Sequence, residues 1–549
     1  MKRILLSLCT IWAATAQSVP DSGEVDVIVR FKPAFSHLSR SRYEARGARM
    51  KQALPIIDAS VYRMATADLA LLKQDPDIEM AELDQVVTAN AWDGKFDYGW
   101  MSVLRARSFT QDFAQTGKGV VVAVIDSGIS PHKDFNGAIL YAESFLANND
   151  STKDEYGHGT LVTGIITGDG KSSVEDQYQV RGIAPEANVV NLRVLDKNGE
   201  GRDSYVIAAI DRAISLRGSK KVNIINLSLG RPVTTKCAKD PLCQAMQKAW
   251  EAGIVVVVSA GNEGRNNSIG TKGYSSITVP GNSPYVITVG AINSKSSAVR
   301  SDDMMTSYSS KGPTLLDHVV KPDLVAPGNR IVSTLSGGST LDMQFSANRV
   351  TTTSGHSDSE GRESGNRGYF QFSGTSLAAP YVTGAVALMI EANRDKDKVQ
   401  LTPDQIKARL MLTAEKLPAR RYNITDPVTG TIYPIENNLM TVGAGYLDIT
   451  KALNSNALVT SSAKSPQVVY YPATRTASFV RSNSAIWGEN SVWGFTMVWG
   501  ETMVWGETMV WGETMVWGET MVWGETATGI ETATKLQGES TVVALNGEN

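Results

Sequence analysis

The strongest constraint on the fold is a set of short apolar runs in the middle of the chain. They occupy residues 120–125, 189–195, 222–227, 254–258 and 286–292 and are rich in Val and Ile. Runs of this length and composition are typical of strands that are covered on both faces. Helical patterns lie between and after them, at residues 204–216, 244–251 and 405–416. Strands that alternate with helices predict an α/β domain with a doubly wound, mostly parallel sheet.

The chain begins with a pattern typical of a secretory signal peptide. Lys2 and Arg3 precede an apolar run at residues 4–13, and small residues follow at 14–16. These are the three parts of such a signal. A membrane anchor is the alternative, but the run is too short to cross a bilayer. The sequence therefore predicts a signal peptide at residues 1–16 and a secreted protein, either extracellular or at the cell surface.

Residues 17–91 predict a small α+β unit in front of the main domain, which we expect at residues 92–455. Alternation with period two at residues 25–31 indicates a half-buried strand. Four further elements follow: a helix at 39–54, a strand at 59–64, a short helix that begins at Thr66, and a strand at 78–87.

The region at 456–549 differs from the rest of the chain. From Trp487 to Trp523 a tryptophan recurs every six residues, mostly as Trp-Gly-Glu-Thr-Met-Val, and the repeats span 487–526. In an extended strand an even repeat places every Trp on one face, whereas a helix would scatter them. We therefore expect an extended, repetitive module, whose ladder of Trp side chains is suited either to contact a glycan or another surface or to stack on itself. A low-complexity segment without a defined role is the alternative.

The net charge and the cysteine count of the chain bear on its partners and on its redox state. A net charge of −3 gives no reason to expect nucleic acid or an anionic membrane as a partner. Of the three cysteines, Cys9 lies in the signal peptide, which leaves Cys237 and Cys243. No histidine stands near these two in the sequence, so they do not indicate a zinc site. In an oxidising compartment we expect a local disulfide, with two free thiols as the alternative.

Three short motifs contain the residue types of a nucleophilic catalytic set. Asp126 directly follows the run at 120–125, at the strand end where open α/β sheets place functional groups. His158 lies between two glycines and begins a helical pattern. Ser376 opens a helix of small residues, where free N–H groups can stabilise an anion. Taken singly, each residue also fits a role as a helix or turn cap.

Taken together, the motifs resemble the subtilisin family of serine endopeptidases, which includes the proteinase K group, over residues 24–455. They are Asp-Ser-Gly at 126–128, Gly-His-Gly-Thr at 157–160 and Gly-Thr-Ser-Leu-Ala at 374–378, in the chain order Asp, His, Ser of that family. The resemblance implies peptide-bond hydrolysis with Ser376 as nucleophile, His158 as base and Asp126 as the carboxylate that orients the base.

The same resemblance implies residues that bind the substrate and the oxyanion. Asn262 is expected to donate a hydrogen bond to the oxyanion, beside the backbone N–H of Ser376. A protein or peptide substrate would bind as an added strand between two backbone edges. These edges are Gly199-Glu200-Gly201 and Ser228-Leu229-Gly230, and the primary pocket is lined by Ser259-Ala260-Gly261.

The resemblance also implies that residues 17–91 are an inhibitory prodomain. Its tail would lie in the substrate cleft, and the enzyme would cut it off near Ala91. No cofactor is expected. Asp134 resembles a calcium ligand of some members, but the loop at 169–179 departs from their pattern, so calcium is only a candidate structural ion. His132 is expected to be non-catalytic.

Three further expectations concern the remaining loops and histidines. His318 and His356 lie in polar loops and are expected to be solvated. The Gly-, Ser- and Thr-rich stretch at 333–367 is expected to be a long polar loop, longer than in compact members of the family.

Two alternatives differ in the residues that they require. An inactive scaffold that binds through its Trp-rich tail would have lost Asp126, His158, Ser376 or Asn262, and all four are present. The doubly wound serine hydrolases use Gly-x-Ser-x-Gly and the order Ser, Asp, His. Here residue 378 is Ala and the order is different.

Overall fold

The structure of the protein is a computed structural model. It describes residues 23–33, 36–89, 113–173, 179–295, 300–350, 368–396, 400–426, 429–460, 462–471 and 476–480. The predicted signal peptide, the hexad repeats, His356 and the expected cleavage region near Ala91 lie outside the described residues.

The N-terminal part of the chain contains a four-stranded antiparallel sheet and two helices. Its elements are β1 (Glu24–Phe31), α1 (Ser36–Ala45), β2 (Arg49–Leu54), β3 (Ala59–Ala65), α2 (Thr66–Gln74), β4 (Ile78–Leu83) and β5 (Val86–Ala89). The sheet has the order β2-β3-β1-β4, and β5 is not part of it. Val27 and Val29 alternate along β1 and pack with Tyr62, Met64 and Leu72 in a separate core.

Two predictions for this part are wrong in their extent. The helix predicted at 39–54 ends at Ala45, because Gly47 adopts a left-handed φ of 97° that terminates it. Residues 49–54 then pair with β3 as a strand. The strand predicted at 78–87 is divided at Asp84, whose carboxylate accepts hydrogen bonds from the backbone N and the Oγ of Ser204 at 2.9 and 2.8 Å.

The rest of the described chain contains one large sheet, several small sheets and the helices between them. In chain order its strands are β6 (Val121–Asp126), β7 (Ile139–Ser144), β8 (Asn188–Arg193), β9 (Glu200–Arg202), β10 (Val222–Leu227), β11 (Leu229–Gly230), β12 (Val255–Ser259), β13 (Ile287–Asn293), β14 (Met304–Met305), β15 (Leu324–Pro327), β16 (Ile331–Thr334), β17 (Arg349–Val350), β18 (Tyr369–Phe372), β19 (Arg421–Thr425), β20 (Ile432–Glu436), β21 (Gln467–Tyr471) and β22 (Thr476–Val480). The helices are α3 (His158–Thr167), α4 (Asp203–Ser219), α5 (Pro241–Glu251), α6 (Thr340–Gln344), α7 (Thr375–Lys396), α8 (Pro403–Thr413), α9 (Leu439–Val442) and α10 (Ile449–Asn454).

The large sheet has eight strands in the order β14-β13-β12-β10-β6-β8-β7, with β15 also beside β13. Its pairs are parallel except that between β13 and β14. Helix α7 packs on β10, β12 and β13, while α4 and α5 pack on β6, β10 and β12. Every residue of β6, β12 and β13 is buried, which explains their unbroken apolar sequences. The predicted doubly wound α/β fold is confirmed.

Helix α7 is the central helix of this domain. By length and composition it is apolar enough to cross a membrane, but 89% of its most apolar stretch is buried inside the protein. Such burial is expected of the core helix of a globular domain.

The stretch predicted as a polar loop at 333–367 contains regular structure in its described part. The end of β16, helix α6 and strand β17 lie within residues 333–350. The Ser339 side chain caps α6 by accepting a hydrogen bond from the backbone N of Asp342, and β17 pairs with β18. The polar composition therefore conceals a helix cap and a strand that is completed by a distant partner.

Packing of the main domain continues past residue 455. Ala463 is fully buried, and Ser465 Oγ accepts a hydrogen bond from Lys407 Nζ at 2.8 Å. The backbone N of Val320 donates to the carbonyl of Pro466 at 2.8 Å. The segment up to Val468 is thus part of the packed domain, beyond the boundary that the sequence predicted.

Candidate active site

Asp126 and His158 are joined by a hydrogen bond at the carboxyl end of β6, a central strand of the large sheet. Asp126 is the last residue of β6 and His158 the first of α3. His158 Nδ1 lies 2.8 Å from Asp126 Oδ1, which also accepts a hydrogen bond from the Ser127 backbone N at 2.7 Å. A carboxylate oxygen accepts, so Nδ1 donates this hydrogen bond. Nε2 is then the ring nitrogen through which the predicted base would act.

Asp154, which the sequence analysis did not single out, holds the start of helix α3. It is fully buried, and its carboxylate accepts hydrogen bonds from the backbone N of Gly157 and of Thr160, at 2.6 and 2.8 Å. The Thr160 hydroxyl at 2.7 Å and the Ser127 hydroxyl at 2.8 Å complete the set. Burial raises the pKa of Asp154, and these hydrogen bonds act in the opposite direction. An Asp shortly before a glycine-flanked helix start was the signal that would have identified this residue.

Ser376 is the second residue of α7, and its backbone is anchored to the end of β10. The Ser376 carbonyl accepts a hydrogen bond from Ser228 Oγ at 2.8 Å. Ser228 Oγ in turn accepts one from Asn226 Nδ2 at 3.1 Å, and Asn226 Oδ1 accepts one from Thr383 Oγ1 at 2.7 Å. This buried chain of polar groups holds the first turn of α7 in one position.

The two predicted reactive atoms lie on neighbouring helices, α3 and α7. The helices pack against each other, and His158 and Ser376 stand in their first turns. Both His158 Nε2 and Ser376 Oγ are buried, and neither has a hydrogen-bond partner among the described residues. Buried polar atoms without partners are rare in folded proteins. Here they are the two atoms between which the predicted proton transfer would occur.

Asn262 follows β12 and contacts the residue before Ser376. Its Oδ1 accepts hydrogen bonds from the backbone N and the hydroxyl of Thr375, at 2.9 and 3.0 Å. A backbone N–H can only donate, so these contacts determine which end of the amide is oxygen. The Nδ2 donor therefore lies on the side of the amide that faces away from Thr375, as the predicted oxyanion role requires.

The two predicted substrate edges lie on either side of strand β5. Antiparallel pairing joins Thr88 to Glu200 and Val87 to Gly201 on one side. On the other side Ala89 pairs with Leu229 and Thr88 with Gly230. The backbone N of Ala89 also donates to the carbonyl of Gly199 at 2.9 Å. The cleft thus accommodates an extended peptide as the middle strand of three.

The predicted pocket residues adjoin these edges. Ser259 and Ala260 are fully buried, and Gly261 has a φ of 101°. A Cβ at Gly261 or Gly230 would meet the Thr278 hydroxyl at 2.8 or 2.7 Å. The Thr278 side chain therefore packs against both Gly261, which follows β12, and Gly230 of the second edge. A larger side chain at either glycine would collide with it.

A buried ion cluster that the sequence analysis missed fixes the edges relative to each other. Arg231, directly after β11, lies 2.9 Å from both carboxylate oxygens of Asp203, which begins α4 after β9. It also donates to Asp240, the N-cap of α5, at 2.7 Å. Such buried charges are tolerated only when they are paired, so the cluster ties β9 to β11.

Asp134, the candidate calcium ligand, is held by donors from the protein itself. Its Oδ2 accepts a hydrogen bond from the Tyr369 hydroxyl at 2.6 Å, and its Oδ1 accepts one from the Ser172 backbone N at 2.8 Å. Burial raises the pKa of Tyr369, so its hydroxyl keeps the proton that it donates. Within the described ranges, no three His, Cys, Asp or Glu side chains are grouped to hold a metal ion. Calcium at Asp134 stays a prediction.

The other described histidines are not part of this site. His132 Nδ1 accepts a hydrogen bond from the Asp134 backbone N at 3.1 Å, so its Nε2 donates to the carbonyl of Gly368 at 3.0 Å. His318 is half-buried rather than fully solvated as predicted, and this burial lowers its pKa to about 4. His318 lies at a turn with a φ of 51°, whose packing the local sequence did not indicate.

Cys237 and Cys243 lie close together at the start of α5. Their Cα atoms are 5.4 Å apart, a separation typical of a disulfide. The bridge stays a prediction that a thiol measurement can test.

Comparison with known proteins places this geometry in a family. Residues 117–468 match the model of the subtilase family of peptidases. Serine protease AprX of Bacillus subtilis (strain 168) is 37% identical over 306 residues, which cover 55% of this chain and 62% of AprX. Subtilisin E of the same organism is 31% identical over 402 residues, which cover 72% of this chain and 87% of subtilisin E. The minor extracellular protease Epr, also of that organism, is 29% identical over 405 residues, covering 70% of this chain and 51% of Epr.

A solved structure supports the fold. Fervidolysin from Fervidobacterium pennivorans, described as a keratinolytic enzyme related to subtilisin, matches with a TM-score of 0.57 and 21% identity. The match covers 80% of this chain and 62% of fervidolysin. Together with the α/β fold, the matches to the family model and to subtilisin E show that the chain belongs to the subtilase family of serine endopeptidases.

Proposed function

We propose that this protein is a secreted serine endopeptidase that is made as a precursor and releases its own N-terminal unit. The observation that carries the proposal is the position of β5, which pairs with both substrate edges beside the first turn of α7. A strand of the chain itself thus occupies the place of a substrate.

The proposed reaction has two steps, acylation of Ser376 and hydrolysis of the acyl-enzyme. Ser376 Oγ attacks the carbonyl carbon of the peptide bond while its proton passes to His158 Nε2, and Asp126 stabilises the imidazolium that forms. Asn262 Nδ2 and the Ser376 backbone N–H donate to the oxyanion. The C–N bond then breaks, and the amine leaves with the proton from His158. Water hydrolyses the acyl-enzyme by the same route in reverse and restores the Ser376 hydroxyl.

The substrate class follows from how the cleft holds a strand. Pairing through Gly199, Gly201 and Gly230 uses backbone atoms, so it tolerates many sequences. Val87 of β5 is fully buried, which favours substrates with an apolar side chain at the corresponding position. Proteins and peptides in an extended conformation are therefore the expected substrates.

Contacts outside the cleft support a role for residues 17–91 as an inhibitor. Asp84 accepts its hydrogen bonds from Ser204 in the first turn of α4, where the helix dipole favours a negative charge. Arg30 Nη2 donates to Gln244 Oε1 at 2.5 Å, and Gln85 Nε2 donates to Thr234 Oγ1 at 2.7 Å. These contacts would hold the tail in the cleft until the chain is cut, near Ala91.

Secretion is supported by the signal pattern at residues 1–16 and by the relatives. One of them is named an extracellular protease. Two cysteines at a spacing that suits a disulfide also agree with an oxidising compartment.

The test is the Ser376→Ala variant of the full chain, expressed in a host that lacks similar secreted proteases. We expect it to accumulate as a precursor that retains residues 17–91, because the hydroxyl that cuts the chain is absent while the helix is preserved. N-terminal sequencing and hydrolysis of a fluorogenic peptide are the readouts. As a control for folding, added wild-type enzyme should convert this variant to the mature form.

Three outcomes would contradict the proposal. The alanine variant could mature by itself to a new N-terminus near Trp92, which would show that another group cuts the chain. It could hydrolyse the peptide as fast as the wild type, which would show that Ser376 is not the nucleophile. A wild-type protein that neither matures nor hydrolyses peptide would favour the inactive binding scaffold.

A further inference from the structure

The segment between β16 and β17 lies against the loop that carries His158. Three donors from this segment contact three consecutive carbonyls of that loop. Ser336 Oγ donates to the carbonyl of Asp154 at 2.8 Å. The backbone N of Thr340 donates to Glu155, and that of Leu341 to Tyr156, both at 2.9 Å.

The donors are available because of the position of α6. Thr340 and Leu341 are the first two residues of this helix, and the first N–H groups of a helix have no partner inside it. Ser339 caps the helix with its own side chain. The backbone N–H groups of Thr340 and Leu341 therefore point out of the helix and donate to two successive carbonyls of the neighbouring loop.

The contacted loop ends at the residue before the base. Gly157 has a φ of 114°, and a Cβ there would lie 2.6 Å from Ser339 Oγ. The carbonyls of residues 154–156 are thus held from the α6 side, while the Asp154 side chain holds α3 from within. Any shift of this loop would turn the His158 ring relative to Ser376.

The segment also contacts the loop that precedes the first substrate edge. Thr340 Oγ1 donates to the carbonyl of Lys197 at 2.7 Å, two residues before Gly199. The Tyr156 ring lies where a Cβ on Gly199 would come within 2.7 Å of it. One short helix therefore joins the loop of the base to the loop of the substrate edge.

We propose that residues 336–341 are a positioning segment, a clamp that sets the orientation of His158 and its distance from the bound peptide. The clamp rests on the function proposed above, because it acts through the predicted base. Its residues touch neither substrate nor reacting atoms, so their removal should lower turnover per intact active site rather than destroy the site.

Thr340→Pro removes the N–H that binds Glu155 without breaking α6. Proline suits the first position of a helix, and Ser339 already has the extended backbone that a residue before proline needs, with φ −71° and ψ 166°. Thr340→Val is the matched control, because it loses the same hydroxyl but keeps the N–H. Ser336→Ala is a second, independent variant, since it removes the shorter of two hydrogen bonds to the Asp154 carbonyl, 2.8 Å against 3.3 Å from Ser130 Oγ.

Each mature variant is assayed with a fluorogenic peptide, and active sites are counted with a serine-directed organophosphate. We expect Thr340→Pro and Ser336→Ala each to lower kcat per counted site by about 3- to 10-fold, the loss of one hydrogen bond that positions a catalytic group. The KM of Thr340→Pro should stay near that of Thr340→Val, and the KM of Ser336→Ala near that of the wild type, because only Ser336→Ala keeps the Thr340 hydroxyl. Thr340→Val should change KM through the Lys197 contact. It also loses the 3.3 Å contact of Oγ1 with the Glu155 carbonyl, but it should keep a higher kcat than Thr340→Pro because the N–H to Glu155 remains.

The clamp is refuted if both variants keep the kcat of Thr340→Val per counted site. It is also refuted if activity falls only as the number of counted sites falls, since that would be a loss of folded protein. Failure of the proposed function has a different signature: Ser376→Ala or His158→Ala would then be as active as the wild type. The two failures are therefore distinguishable in one set of assays.

Discussion

The double role of Asn262 allows its contribution to the reaction to be separated from its contribution to the fold. Its Oδ1 holds the Thr375 backbone N and hydroxyl, while its Nδ2 is the predicted oxyanion donor. Asn262→Asp keeps an oxygen for Thr375 and loses the donor. Asn262→Leu loses both. A negative charge at residue 262 also faces the N-terminal end of α7, where it is favoured.

The two variants should both lose turnover and should differ in stability. Removing one oxyanion donor costs about 10²- to 10³-fold in kcat, or about 2.7–4 kcal/mol, a magnitude measured in subtilisin. Both variants should show at least this loss with little change in KM, and the loss should be larger in Asn262→Asp because its carboxylate repels the oxyanion. Asn262→Leu should also lower the free energy of unfolding by about 1–3 kcal/mol, because two hydrogen bonds to Thr375 are lost at about 0.5–1.5 kcal/mol each.

The measurements are kcat and KM per titrated active site, and unfolding in denaturant of the mature protein. Asn348→Asp is a control for burying a carboxylate in place of an amide, because Asn348 Nδ2 donates to the carbonyl of Gln371 at 2.9 Å and plays no part in the reaction. Near-normal turnover of Asn262→Asp would refute the donor role. A normal stability of Asn262→Leu would refute the role of Oδ1 at α7.

Three further predictions concern the domain core, the cysteines and the tail. Asp323→Asn should lower the free energy of unfolding by about 3–5 kcal/mol, because it leaves the fully buried Lys321 and Lys407 ammonium groups, 2.7 and 3.2 Å away, without their carboxylate. Asp448→Asn, which breaks the exposed pair with Lys451, should cost less than about 1 kcal/mol, and equal effects in denaturant unfolding would contradict the argument. Intact mass after alkylation, with and without reductant, should show no free thiols at Cys237 and Cys243 until reductant is added; two free thiols in freshly secreted protein would contradict the disulfide. Deletion of residues 482–549 should leave kcat/KM for a small peptide unchanged, because the candidate site lies upstream. Strong loss of peptide hydrolysis in a folded deletion variant would disprove this independence.

The sequence by itself determined the class of the fold and the candidate residues of the site. Strand β10 has the predicted bounds, 222–227, and β6 ends at Asp126, one residue beyond the predicted run. Such strands can be recognised from the sequence because burial on both faces selects Val and Ile, regardless of which elements pack against the strand. The motifs around His158 and Ser376 are legible for a related reason: glycines and small residues are needed at helix starts that approach other backbone closely.

Only the tertiary structure decided what depends on distant partners. Residues 49–54 are a strand because they pair with β3. Residues 86–89 are a strand because they pair with both substrate edges. Asp154 became part of the site through Ser127, and α6 became a clamp through the carbonyls of residues 154–156. Apart from the local β2–β3 hairpin, the deciding hydrogen bonds join residues far apart in the chain, so no local pattern of apolar and polar residues records them.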